Sequence, residues 1–267
     1  MDIISLASGA GLWDWAWREA GANIRLQCEK DEIANLILKK AFQEARHDND
    51  IFKLTKEKIE NEYKLKNLEN YTFIGGLCCQ PFSTAGPQRG RLKDTWMCDE
   101  LVRLTKECRH RFAVSENVAG FVKNEDGLPY LVARMEQQGY RGYSLSISAS
   151  AFEAPHERQR VFSVFTRDKV LEHTVSFGRL AGLLSHAFKI EKTVRGYYNG
   201  RNISKLGISS VAYGHPTTAE ENYLRICGNG VEYQSGLFIA SIIKAINDYF
   251  YDSPEGQQIK KIHHHKN

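Results

Sequence analysis

The sequence predicts an α/β fold, an open and mostly parallel sheet with helices on both faces. Three observations carry this. Asp2 to Leu6 is an apolar run that reads as a strand, and Ser8-Gly9-Ala10-Gly11 turns from it into a helix over Leu12 to Ala20, closed by Gly21. Ile24 to Cys28 reads as a second strand and ends in Glu29. An acidic residue at that tip, about 20 positions after the glycines, is where α/β nucleotide folds hold ribose hydroxyls. Tyr71 to Ile74, rich in β-branched and aromatic residues, reads as a buried strand. Gly75-Gly76 end it, and a loop of unusual chemistry follows.

Bulk properties set the frame. The chain has 267 residues, long enough for one large α/β domain or one with a small insertion. A hydrophobic content of 42% with 25% charged residues is that of an ordinary globule. The formal charge of +4 permits nucleic acid as a partner without indicating it. Six cysteines without a signal-peptide pattern or paired CxxC units point to reduced thiols, a cytoplasmic location and no metal. No apolar run is long enough to span a bilayer, so no membrane partner is expected.

The elements follow in order. Trp13, Trp15 and Trp17 are assigned to helix and core packing. Lys53 to Asn70, dense in Lys, Glu and Asn, predicts a surface helix with a solvated face. Leu101, Leu104 and Cys108 lie at helical spacing in a helix over Thr95 to His110. Phe112 to Val114 is the next strand, followed by Ser115-Glu116-Asn117-Val118, a second reactive residue at a strand's carboxyl end. Glu116, facing a closed site, is expected to hold its proton more tightly than usual. Pro129 to Gln138 reads as a helix. Tyr143 to Ala149 and Arg160 to Thr166 read as a hairpin of strands joined through EAPHERQR. Ser235 to Phe250 is a strongly apolar helix, and the polar tail beyond Asp252 is expected to be disordered.

The stretch from Gly75 to Gly90 reads GGLCCQPFSTAGPQRG. A lone cysteine is most often a small buried hydrophobe, but in an open α/β sheet the loop at a strand's carboxyl end is where chemistry sits. This stretch resembles the Pro-Cys loop of the cytosine-5 methyltransferases, GGPPCQPFS followed by an AGxxxG-like segment, with Cys79 at the nucleophile position and Cys78 where the family has proline. Five further segments agree in order. The family's cofactor pattern FxGxGG falls on Ala7, Gly9, Gly11 and Leu12, with Ala7 for phenylalanine and Leu12 for the third glycine. Asp50-Ile51 resembles the pair that meets the adenine ring. Glu116 lies in a Glu-Asn-Val motif. Arg158 and Arg160 fall on the arginines of GxPQxRxR, with His156 at the glutamine. Asn229 and Gly230 lie in a segment similar to Ile-Gly-Asn-Ala-Val.

The resemblance implies a class I methyltransferase fold, Rossmann-like, with a small inserted recognition region. It divides the chain into a catalytic and S-adenosylmethionine-binding part over 1–168, a target-recognition region over 169–221, a returning segment over 222–252 and a polar tail over 253–267. The implied activity is transfer of a methyl group from S-adenosylmethionine to C5 of a flipped-out cytosine in double-stranded DNA, through a covalent adduct on Cys79. Glu116 would act at N3, Arg160 would hold the cytosine O2 and fix Glu116, and Arg158 would hold a phosphate or a loop group. The cofactor would lie against Ala7, Gly9, Gly11, Leu12, Glu29, Asp50, Ile51, Asn229 and Gly230. DNA would meet Gln80, Ser83, Arg89 and Arg91 in a loop suited to close over the base. The expected setting is a monomer of a restriction-modification system, with a cognate endonuclease as partner, or an orphan or phage enzyme. The alternatives are an RNA cytosine-5 methyltransferase, a catalytically silent nucleic-acid-binding relative, and a nicotinamide-dependent oxidoreductase. The last shares the glycine turn and acidic tip but leaves CQPFS and GNGV unexplained.

Overall fold

In the computed structural model, residues 1–77, 97–152, 158–168, 231 and 233–264 are described. The sheet has seven strands. They are β1 (Asp2–Leu6), β2 (Asn23–Cys28), β3 (Arg46–Asp48), β4 (Thr72–Gly75), β5 (Phe112–Val118), β6 (Arg141–Ser148) and β7 (Gln159–Thr166). Their order across the sheet is β3-β2-β1-β4-β5-β7-β6. The first five run parallel. β7 is antiparallel to β5 and to β6, so the predicted hairpin is present.

Strand alternation builds two cores, one on each face. Ile3, Ile24, Ile74, Val114 and Phe162 point to one side. They meet α1 (Leu12–Glu19), α2 (Glu32–Ala41) and α7 (Tyr233–Asn247) through Trp13, Trp17, Leu38, Leu237 and Ile243. Ile4, Leu26, Phe73, Ala113 and Phe165 point to the other. There they meet α3 (Lys56–Asn61), α4 (Cys98–Cys108) and α6 (Leu128–Gln137) through Ile59, Leu101, Leu104, Leu131 and Met135. The period of two along each strand puts consecutive residues on opposite faces, and parallel strands covered on both sides are hydrophobic throughout. A short helix, α5 (Gly120–Lys123), follows β5.

The structure corrects the sequence reading at several places. Lys53 to Asn70 is not one helix. α3 ends at Asn61, Lys64 and Asn67 adopt left-handed backbone, and a 3-10 turn covers Leu68–Asn70. The break turns Leu65 and Leu68 into the core, which a continuous solvated helix would not allow. Ser115 to Val118 does not follow the strand but belongs to it, because the ladder with β7 continues to the Val118–Arg160 pair. Trp13 and Trp17 are buried as expected, but Trp15 faces outward with the Arg18 guanidinium 3.8 Å above its ring. The tail beyond Asp252 is not disordered where described. After a π-helical turn over Asp248–Asp252, α8 (Pro254–His264) forms. Ser253 Oγ accepts from the Gly256 N–H at 3.1 Å, and proline suits the first helical turn. α2 and β3 have no counterpart in the sequence reading. The signals for α2 are plain: Asp31 Oδ1 accepts from the N–H groups of Ile33 and Ala34, and Lys39 and Lys40 occupy the last turn.

Candidate active site

The carboxyl ends of the parallel strands share one rim, where open α/β sheets bind ligands. Leu6 is paired with Cys28 and with Gly75, Cys28 with Asp48, and Gly75 with Ser115. One step beyond each pairing stand Ala7, Glu29, Gly76 and Glu116. The sheet register thus sets candidate residues from distant parts of the chain side by side.

The glycine turn is held in left-handed backbone at Ala7, Gly9 and Gly11, with φ of 51°, 55° and 80°. The two glycines serve different ends. A Cβ on Gly11 would lie 2.8 Å from Leu38 and 2.9 Å from Phe42, so its bare backbone lets α2 approach the turn. Among the described residues a Cβ on Gly9 would meet nothing within 4 Å, so they leave the space beside Gly9 open. Leu12 begins α1, whose N-terminus adjoins this space. Glu29 joins the turn directly. Its Oε2 accepts from the Gly9 N–H at 2.7 Å and its Oε1 from the Asp31 N–H at 2.8 Å. Each oxygen keeps a lone pair for a further donor.

Asp50 and Ile51 lie just past β3. Asp50 Oδ1 accepts from the Phe52 N–H at 3.0 Å, and its other oxygen pairs with Lys53 at 3.1 Å. Burial is the largest single influence on Asp50 and raises it, but Lys53 and the Phe52 N–H together outweigh burial and hold the carboxyl below the usual range. Ile51 is buried in the core. Two residues that the sequence reading passed over build this corner. Asp48 Oδ1 accepts from the N–H groups of Asn49 at 2.7 Å and Asp50 at 3.2 Å, while Lys58 pairs with its other oxygen at 2.8 Å. Arg103 Nη2, from α4, donates to the carbonyls of Ile51 at 3.0 Å and Leu54 at 2.8 Å. A strand ending in aspartate is a usable signal for the first. Only the folded chain brings Arg103 there, 52 residues on from Ile51.

The second group centres on Glu116, 7% exposed. Arg160 Nε lies 2.7 Å from its Oε1. Burial pushes the Glu116 carboxyl up to about 7, against the pull of Arg160 and then Arg158. Desolvation outweighs the ion pair because the group is almost wholly removed from water. Arg160 stands opposite Val118 in the β5–β7 ladder, and Arg158 just precedes β7, its carbonyl accepting from the Ala149 N–H at 3.0 Å. A Cβ on Gly76 would lie 3.8 Å from Glu116 Oε2 and 3.6 Å from Val231. Both are ordinary contact distances, so Gly76 passes close beside the carboxyl, and Val231, just before α7, reaches the same place.

Ala7, Gly9, Gly11, Leu12, Glu29, Asp50, Ile51, Glu116, Arg158 and Arg160 thus share the rim. Cys78, Cys79, Gln80, Ser83, Arg89, Arg91, His156, Asn229 and Gly230 lie outside the described residues. Among the described residues no cluster of His, Cys, Asp and Glu could hold a metal ion, and no helix is long and apolar enough to cross a membrane.

Residues 1–247 match the family model of the C-5 cytosine-specific DNA methylases. The chain is 30% identical over 173 residues to the type II methyltransferase M.FnuDI of Fusobacterium nucleatum, covering 63% of this chain and 48% of that protein. It is 27% identical over 179 residues to the orphan methyltransferase M.Rho11sI of Bacillus phage rho11s, covering 64% of this chain and 34% of the other. The chain therefore spans a half or less of the length of these two relatives. Among solved structures, a DNMT2 of Spodoptera frugiperda superposes with a TM-score of 0.51 at 23% identity, over 62% of this chain and 50% of that one. That likeness is one of fold.

Proposed function

The chain belongs to the C-5 cytosine-specific DNA methylase family, and from that premise we propose that it methylates C5 of cytosine in double-stranded DNA. The observation that carries the reading is Glu116, buried at the rim with Arg160 Nε 2.7 Å from its carboxyl, where burial pushes it up to about 7. A carboxyl that keeps its proton near neutrality can donate to a ring nitrogen.

The open space beside Gly9, the Glu29 carboxylate and the N-terminus of α1 fit a nucleoside with a ribose diol. We assign S-adenosylmethionine to this turn, with Asp50 and Ile51 at its adenine end and Asn229 and Gly230 as further contacts. When bound it supplies an electrophilic methyl group. The chain's residues do the rest. The Cys79 thiolate adds to C6 of the cytosine, and the electron pair of the C5–C6 bond makes C5 nucleophilic. Glu116 donates a hydrogen bond or proton to N3, which neutralises the charge that builds on the ring. Arg160 holds Glu116 in place and donates to the cytosine O2, while Arg158 holds a phosphate or loop group. Once C5 carries the methyl group, its proton leaves to a base, the C5–C6 double bond re-forms and the thiolate departs. The cytosine must leave the duplex to reach these groups, and Gln80, Ser83, Arg89 and Arg91 are assigned to the loop that receives the DNA.

The test is covalent trapping. DNA containing 5-fluorocytosine should form a denaturation-resistant band that requires S-adenosylmethionine, because fluorine at C5 cannot leave as a proton. Mass spectrometry should map the band to the peptide bearing Cys79, and Cys79→Ser should abolish it while cofactor binding survives. Methylation of ordinary DNA without any trap would refute the cytosine-5 mechanism. Trapping on RNA and not on DNA would keep the chemistry and change the substrate.

A further inference from the structure

We infer that Asp14 is a positioning residue for the glycine turn, acting through Ser5 and Ser8 to hold the turn in the shape that receives S-adenosylmethionine. The inference rests on the assignment of that cofactor to the turn. Asp14 lies in the first turn of α1 and is fully buried, although the helix's other inward residues, Trp13, Ala16 and Trp17, are apolar. A carboxyl without solvent is costly unless donors reach it. Two do: Ser5 Oγ donates to Oδ2 at 3.1 Å and Gln27 Nε2 to Oδ1 at 2.7 Å. Ser5 and Gln27 are partners in the β1–β2 pairing. Asp14 is thus the point where β1, β2 and α1 meet beneath the turn.

The network then enters the turn itself. The single Ser8 hydroxyl hydrogen is shared between Ser5 Oγ at 2.9 Å, the shorter contact, and the Ser5 carbonyl at 3.2 Å. Each hydroxyl has one hydrogen, and a carboxylate only accepts. Asp14 therefore sets the direction of the whole chain, from Ser8 to Ser5 to Asp14. The Ser8 N–H is held by the Cys28 carbonyl at 3.2 Å, and the next N–H, of Gly9, by Glu29 at 2.7 Å. Two carboxylates grip adjacent residues of the turn, Glu29 at the rim and Asp14 from below. Gln27 adds a second observation. Its Oε1 is buried and finds no hydrogen-bond partner among the described residues, so the amide serves Asp14 while its own acceptor carries a desolvation cost. Being fully buried, Asp14 reaches a ligand only by way of Ser8.

The experiment measures S-adenosylmethionine affinity by calorimetry, and melting temperature, on the full chain. Ser8 is only half-buried, so Ser8→Ala should fold and melt within about 2 °C of wild type. It should bind the cofactor roughly three- to tenfold more weakly, the scale of one lost hydrogen bond, and Ser8→Thr should restore affinity. Asp14→Leu should weaken binding similarly, and adding Ser8→Ala to it should cost nothing more, because the relay has lost its final acceptor. If Asp14→Leu does not fold, Asp14→Asn replaces it in the same cycle; it keeps one acceptor and should fall between wild type and Ser8→Ala. Unchanged affinity in Ser8→Ala, with wild type binding normally, overturns the inference alone. Independent, multiplying losses from the two sites also overturn it. Absence of cofactor binding in wild type overturns the assignment of the turn, and the inference with it.

Discussion

Glu29 binds the glycine turn directly, with its two oxygens accepting from the backbone N–H groups of Gly9 and of Asp31. If the proposed cofactor assignment holds, removing the side chain should hurt twice, by losing the assigned ribose contact and by freeing the turn. We expect Glu29→Ala to weaken S-adenosylmethionine binding by roughly 1.5–3 kcal/mol, as for hydrogen bonds to charged groups. Glu29→Gln keeps an acceptor for only one of the two N–H groups and should fall between; calorimetry with unchanged affinity in both would return Glu29 to a purely local role. The neighbouring glycines behave differently. Gly11→Ala must place a Cβ at φ of 80° and within 2.8 Å of Leu38, and overpacking of this kind costs roughly 1–3 kcal/mol. A urea melt of Gly11→Ala that matches wild type would show that α2 can yield. The sequence showed that two glycines and an acid belong together, because their spacing follows the strand–turn–helix–strand unit. It did not show which glycine faces open space and which faces α2, because α2 itself went unread.

Helix α7 depends on one bare position. A Cβ on Gly236 would come 2.9 Å from Trp13 Cδ1 and 3.3 Å from Trp13 Nε1 and from Val231. Ala is favoured over Gly in a helix by roughly 1 kcal/mol, yet the indole is a rigid neighbour buried in the core. Overpacking, at roughly 1–3 kcal/mol, should win. Gly236→Ala is expected to lower the melting temperature and, through Val231, to loosen the packing beside Gly76 and Glu116. A rise in melting temperature would mean that Trp13 can move. The elements legible in the sequence were those whose pattern is local. Asp2–Leu6 matched β1 residue for residue, and the β6–β7 hairpin formed as its alternation indicated. The failures were long-range. Glu116 was placed after its strand because nothing local shows that β7 extends the ladder to Val118. The break at Lys64 and Asn67 follows from the core's demand for Leu65 and Leu68, which a charge-rich run conceals. α8 reads as a polar tail because most of its residues are polar, and apart from Gly256 those whose burial is described are exposed. A Cβ on Gly256 would come 2.0 Å from the Tyr249 carbonyl, so close does the helix lie to the preceding turn.

Taken whole, the molecule uses its sheet to set two buried carboxyls near one rim, Asp14 beneath the glycine turn and Glu116 beside Gly76. Burial raises the first to about 6 and the second to about 7. Each binds its proton more tightly in the folded chain than in the unfolded one, whose carboxyls titrate at about 3.9 for Asp and 4.3 for Glu. The stability each contributes is therefore complete below about pH 4 and is lost as pH rises through its folded value. Asp48, Asp50 and Asp248 are shifted downward, and so act in the opposite direction and only in acid, where their stabilisation is lost as pH falls below about 4. Between pH 5 and 8 the two raised carboxyls weaken the folded state as pH rises, while His110 and His47, both lowered by burial, strengthen it as pH rises towards about 6.5, so the Glu116 contribution is read from a comparison in which the histidines are common to both proteins. Glu116→Gln removes one titration while keeping the side chain's shape. Its unfolding free energy should fall less than that of wild type across this interval, by on the order of 2–3 kcal/mol. Denaturant titrations of both proteins at half-unit steps of pH measure this directly. Parallel curves would show that the ion pair with Arg160 keeps Glu116 ionised throughout. That result would also remove the proton that the methylation chemistry assigns to it, so one set of unfolding curves tests both the electrostatics of the fold and the acid at its rim.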